Sequence, residues 1–161
     1  MAVDMFLKLD GIKGESKDAQ HKGDIDVLAW SWGGTQSANW HLGGGGGAGK
    51  VTVQTLSFTK YTDLASADLF LCLCNGKHIS KGTLVVRKAG RLQPLEYFKI
   101  TMEDLIVTSV SVGESGGNDL LTENVGLSFA RFRYRYTEQT SAGGEGAQPE
   151  MGWDIVRNSR Y

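Results

Sequence analysis

Proline is nearly missing from this chain of 161 residues, occurring only at Pro94 and Pro149, so no proline-rich linker divides it. Cysteine is equally scarce. Cys72 and Cys74 stand one residue apart, too close to form a useful staple, and the small disulfide-held folds are excluded. No window approaches the roughly 20 apolar residues of a membrane span. The opening MAVDMFLKLD sets Asp4, Lys8 and Asp10 inside its apolar stretch, whereas a secretory leader needs a basic start and an unbroken apolar run. Synthesis and assembly in the cytoplasm are therefore expected, and any exit from the cell is expected without a cleaved leader. Neither charge is in excess. A net charge of −1 gives no global field toward nucleic acid or an anionic membrane, so neither partner is expected.

Catalytic constellations are missing as well. There is no H-E-x-x-H pair, and nothing marks His21, His41 or His78 as a base. CLCNGKH at 72–78 imitates a metal cluster, but Cys72 and Cys74 do not share a helical face and no further pair completes four ligands. A buried thiol pair is expected there, with no metal, no cofactor and no enzymatic activity.

What the chain does have is glycine, at 22 positions, and period-two alternation. Val3, Met5, Leu7 and Leu9 share one face of the first segment. In DIDVLAWSWGG at 24–34, Leu28, Trp30 and Trp32 share one face, with Val27, Ala29 and Ser31 on the other. From Val27 onward neither face is charged, so this strand is expected to be covered on both sides. KVTVQTLSFTKY, TLVVRKAG, LEYFKITMEDLIVTSVSVG (one long or bent pair), LTENVGLSFARFRYRYT and MGWDIVRN read as further strands. Near Ala130 the apolar phase slips by one residue, from Val125, Leu127 and Phe129 to Phe132, Tyr134 and Tyr136. A bend there passes a strand from one sheet to another. SADLFLCLCNG breaks the alternation and predicts a short helix over 67–75, buried on most sides, with Ser66 as N-cap, Asp68 in the first turn and Gly76 past its end. The expected fold is mainly β, a two-sheet β-barrel or sandwich of about eight strands with one short flanking α-helix, in a single domain over 1–161. The small, polar stretch at 137–150 reads as a mobile loop.

Positions 44–50, GGGGAGK, fit most of the phosphate-loop pattern. The segment before them is polar, the segment after them alternates as a strand, and Val51 stands where a magnesium-ligating hydroxyl belongs. A long connection between strands, reaching toward a neighbouring subunit, is the better reading. Arg131, Arg133 and Arg135 alternate with Phe132, Tyr134 and Tyr136, which puts aromatics and arginines on opposite faces and argues against an RNA-stacking sheet. Four tryptophans keep a monomeric carbohydrate-binding sandwich open as an alternative.

Read in order, GESKD (14–18), IDVLAWSWG (25–33), GGGGGAGKV (43–51), LSFTKYTD (56–63), NGKH (75–78), RKAG (87–90), LTENVGLSFA (121–130) and GWDI (152–155) carry a family resemblance. The chain resembles the haemolysin-coregulated protein (Hcp) family, tube subunits of bacterial type VI secretion systems. The resemblance implies a homohexameric ring that stacks into a hollow tube inside a contractile sheath on a baseplate. A spike of the valine-glycine-repeat family caps the tube, and small effector proteins are held in the lumen and exported with it. On that reading, Leu28, Trp30 and Trp32 face the core while Val27, Ala29 and Ser31 face the lumen and its cargo. Trp40, His41, Gly43, Gly44, Gly45, Gly46 and Gly47 belong to a loop contacting the next ring or subunit. Some family members carry a fused toxin after the barrel; with Tyr161 directly after the last strand, none is expected here.

Overall fold

In a computed structural model of the chain, residues 3–39, 47–88, 94–114 and 120–161 are described. The strands are β1 (Val3–Leu9), β2 (Ile25–Asp26), β3 (Ala29–Ser31), β4 (Gly34–Thr35), β5 (Ala38–Asn39), β6 (Gly47–Ala48), β7 (Thr52–Val53) and β8 (Leu56–Tyr61). After the helix α1 (Ser66–Asn75) come β9 (Ile79–Lys88), β10 (Glu96–Gly113), β11 (Thr122–Tyr136), β12 (Glu150–Asp154) and β13 (Ser159–Arg160). The fold is mainly β with one short helix, as the alternation predicts. The largest sheet runs β13-β12-β11-β10-β9-β1-β2, with β8 joined to β11 and β3 joined to β8. Because no ladder links β2 to β3, the sheet folds over itself as a sandwich and does not close as a barrel. β4 with β7, and β5 with β6, form a narrow two-stranded arm beyond it.

Two long strands belong to both layers. β10 has 18 residues and pairs with β11 along almost its whole length. It pairs with β9 only as far as Leu105, opposite Ile79. β11 pairs with β8 over 122–127 and with β12 over 131–135. The changeover coincides with the phase slip at Ala130. On the facing strand, Asp104 takes a left-handed φ of 57°, and the register with β11 shifts a little further on, between Val107 and Ser109. Between the layers lie Leu7, Leu84 and Ile100 from one side and Leu56, Phe58 and Leu127 from the other, all essentially inaccessible to solvent.

The segment at 24–33 departs from the expected single strand. The Val27 amide donates to Met5 O on β1 (3.0 Å), and the next amide, of Leu28, donates to Thr59 O on β8 (2.8 Å). Consecutive amides serve strands of different layers, so the chain turns a corner and the alternation slips. Val27 therefore joins Ile25 in the core and is not on the exposed face with Ala29 and Ser31. Leu28, expected in the core, is 40% exposed, while Trp30 and Trp32 do pack against the core.

The helix also differs in detail. It starts at Ser66, and the residue before it, Ala65, offers no side-chain cap. The Ser66 hydroxyl instead accepts from the Asp63 amide (2.9 Å) and donates to Glu123 Oε1 (2.8 Å). Gly76 closes the helix as expected: at φ 67° its amide donates to Cys72 O, a conformation that a side chain would strain. Leu69 and Cys72 face the core, but Cys74 is exposed, so the thiols are not a buried pair. The stretch at 137–150 is an organised turn, held by amides of Glu138, Thr140 and Gly146 donating to Ala147 O, Gly144 O and Glu138 O.

Where β8, α1 and β11 meet, Lys60 is fully buried. Its Nζ donates to Glu123 Oε1 (2.6 Å), Asp63 Oδ1 (2.9 Å), Ser66 Oγ (3.0 Å) and Tyr61 O (2.9 Å). A buried cation with such partners holds its neighbours in place, and removing it strands two carboxylates away from water. Lys60→Met should lower stability by about 3–5 kcal/mol, and Lys60→Met with Glu123→Leu should recover part of that loss. Urea unfolding of the three proteins measures it, and equal midpoints for the single and double variants would count against the account.

Candidate assembly faces

The layer built from β3, β8, the first half of β11 and the last part of β10 presents one face away from the core. Cross-strand register places Ala29 beside Thr59, Thr59 beside Asn124, and Asn124 beside Ser111. The next row is Ser31, Ser57, Gly126 and Ser109. Directly paired residues share a face, so the two rows form one patch of small, uncharged groups. Ala29 and Ser31 are exposed in it. Thr59 Oγ1 donates to Asn124 Oδ1 at 2.7 Å. Gly126 keeps the patch flat: a Cβ there would lie 2.5 Å from Ser109 Oγ. The opposite face of the same strands carries Trp30, Phe58, Val125 and Val110, packed in or against the core.

Sequence reasoning found two members of this patch and missed Ser57, Thr59, Ser109, Ser111 and Asn124, with Gly126 between them. Their signal was present, since they are the polar positions of alternating strands. What the alternation does not state is which strands lie side by side. Of the glycine-loop residues, Trp40, His41, Gly43, Gly44, Gly45 and Gly46 lie outside the described residues. Gly47 pairs with Asn39 in the arm. The segment after Lys50 is extended, but it divides into β7 in the arm and β8 in the large sheet where one strand was expected; it is not the helix that a phosphate loop requires.

The other layer turns a charged face outward. Lys8, Thr83, Thr101 and Arg133 form one row across β1, β9, β10 and β11. Arg131 Nε donates to Glu103 Oε2 (3.0 Å), and the Arg133 guanidinium stacks on the Tyr161 ring at 4.5 Å. Both arginines are thus engaged within the chain. Burial pushes the Glu103 carboxyl up, but hydrogen bonds from Tyr161 and Arg131 outweigh it and hold it below the usual range.

Segment 13–24 lies against this face. His21 stacks on Phe6 with ring centroids 4.4 Å apart, and its Nδ1 and Nε2 lie 3.0 Å from Asp24 Oδ2 and 2.8 Å from Glu96 Oε1. Arg87, nearly buried, donates from both terminal nitrogens to Asp18 and also reaches Asp4 and Gln20. Its hydrogen bond to Asp18 is the main reason that the Asp18 carboxyl sits below its ordinary range. His78, far from this cluster, meets Asp104 at 2.7 Å on the surface. Among the described residues, no three metal-binding side chains converge, and no helix is long and apolar enough to cross a membrane. Trp30 stacks on Phe98, and Trp32 packs among Phe129, Phe132 and Tyr134.

A family model described as "Type VI secretion system effector, Hcp" matches residues 6–136. The chain belongs to the Hcp family of type VI secretion. It is 52% identical over 159 residues to Protein hcp1 of Pseudomonas aeruginosa, covering 98% of each chain. Its fold is similar to the crystal structure of Hcp1 from Salmonella typhimurium, with TM-score 0.81, 41% identity and all of both chains covered. A structure of a type six secretion system protein, 26% identical, has TM-score 0.92 and covers 99% of this chain and 100% of its own. For an Hcp chain, the two outward faces are therefore the features to interpret: one small and neutral, the other charged and internally paired.

The Arg87 clamp gives a pH prediction. A carboxyl held below its unfolded value adds stability above about pH 4, the unfolded range. That stability is lost as pH falls through the depressed folded value. Acid should therefore lower the urea midpoint of the wild type more steeply than that of Asp18→Asn. Parallel pH profiles below pH 5 would contradict the assignment.

Proposed function

We propose that this chain is a structural subunit of the type VI secretion tube, assembling as a hexameric ring whose stacked copies form a hollow conduit for small effector proteins. The observation that carries this reading is the small, uncharged patch of Ala29, Ser31 and their cross-strand neighbours, on a layer whose two margins are unpaired. Among the described residues, β3 pairs only with β8, and β10 beyond Leu105 pairs only with β11. Exposed strand margins are normally covered or blunted, and copies related by rotation cover them in a closed ring.

With this layer turned inward, Ala29 and Ser31 line the lumen, and Val27 is removed from that set because it is buried. Neutral hydroxyl and amide groups accept varied cargo, since they demand no single charge and leave the channel open. The charged layer then faces outward, toward the sheath, while the spike and baseplate meet the ends of the stack. The arm built on β4 to β7 and the segment holding Trp40, His41, Gly43, Gly44, Gly45, Gly46 and Gly47 contact the next ring or subunit. The subunit acts through surfaces and performs no chemical step.

Light scattering of the purified protein gives the mass of a ring, and negative-stain images show it end-on; a single polypeptide at high concentration defeats the proposal. Ser31→Phe should leave rings intact and reduce co-purification of lumenal cargo, and unchanged cargo would remove Ser31 from the wall. Deleting residues 43–47 should leave rings formed but reduce stacking and secretion. Full secretion by that variant would make the loop a connector only.

A further inference from the structure

Helix α1 has an outer face that does not suit water. Leu69 and Cys72 point inward, and the opposite side carries Ala67, Phe70, Leu71 and Cys74, all exposed. Phe70 is 47% and Leu71 58% exposed, and Leu64, just before the helix, is 61% exposed. The single charge in the helix is Asp68. A surface helix ordinarily turns charged residues outward, and one that is apolar all round is a buried helix. Its place in the fold says where the cover comes from. β8 ends with Tyr61 opposite Thr122, which pairs with Gly113 at the end of β10, and β9 begins with Ile79 opposite Leu105. The helix joins those two points and packs on β10, so it runs beside the unpaired margin at 106–113. Whatever meets that margin meets α1.

The opposite margin of the same layer leads to a complementary surface. Directly after β3 the chain forms one wall of an apolar cleft of about 370 Å³. Trp32 after β3 and Val51 and Val53 at the base of the arm line it on one side, with Phe132 and Tyr134 of β11 and Met151 of β12 on the other. One flank of the sandwich is therefore plugged by the helix, and the other is open. A head-to-tail ring brings unlike surfaces together at every contact. Rotation that carries the β10 margin of one copy to the β3 margin of the next carries α1 to this cleft.

We infer that in the assembled ring the outer face of α1, through Phe70 and Leu71, fills the Trp32 cleft of the neighbouring subunit. This rests on the ring reading above and names the contact that closes it.

Two surface substitutions and the native thiol of Cys74 test it. Leu71→Glu and Met151→Lys should each weaken ring association by about tenfold or more, as loss of one buried large side chain implies. The double variant should regain part of the loss, because a head-to-tail contact sets residue 71 of one copy near residue 151 of the next. Circular dichroism shows whether each variant is folded. Independently of any variant, iodoacetamide should alkylate Cys74 roughly tenfold more slowly in wild-type rings than in wild-type subunits dissociated by dilution, if contact excludes reagent and water alike. Rings that persist in both single variants, with Cys74 freely alkylated inside them, overturn this contact and leave the ring reading intact. A wild type that forms no ring overturns the ring reading itself.

Discussion

The fold hangs on where backbone pairing changes partner. One corner and two long strands, with no more than a few residues in each, hand the chain from one layer to the other. At Val27 and Leu28 consecutive amides donate to β1 and to β8. At Asp104 a left-handed residue faces the point where β11 exchanges β8 for β12. At Leu105 β10 leaves β9 and continues with one free margin. A buried amide without a partner is costly, so these transfers leave little choice over which layer each segment joins. Everything that gives the chain two unlike outward faces follows from them.

Much of this was legible in the sequence because burial imposes a period. Leu7 and Leu9, Leu56 and Phe58, and Val125 and Leu127 alternate with polar neighbours, and each pair is buried as its spacing says. The slip at Ala130 was legible for the same reason, since a strand that changes layers must shift its apolar phase. The corner at Val27 was not. Asp24 and Asp26 precede the corner and residues 27–30 are all apolar, so no polar residue marks where the phase moves, and Val27 and Leu28 exchange places relative to simple alternation. Pairing partners are written nowhere in local spacing, which is why Ala29 and Ser31 stood out alone although six further residues share their patch.

The helix shows a different limit. Ser66 has the right chemistry and position for an N-cap, but a buried lysine and glutamate compete for its hydroxyl, and that competition involves residues 6 and 57 positions away. Apolar residues all round α1 suggested burial on most sides. Within one chain it is buried on one side only. The excess of Phe70, Leu71 and Leu64 over what this fold can cover describes the surroundings of the subunit more than the subunit itself.

The pairing of β10 with β11 has a mechanical meaning. The ladder runs from Phe98 opposite Tyr136 to Gly113 opposite Thr122, with its hydrogen bonds lying across the strands. A thrust along the strand direction loads those bonds together, in shear, so that none fails before its neighbours share the strain. A pull across the strands would open them one at a time, like a zipper. The long ladder therefore makes the subunit stiff along one axis and comparatively weak across it.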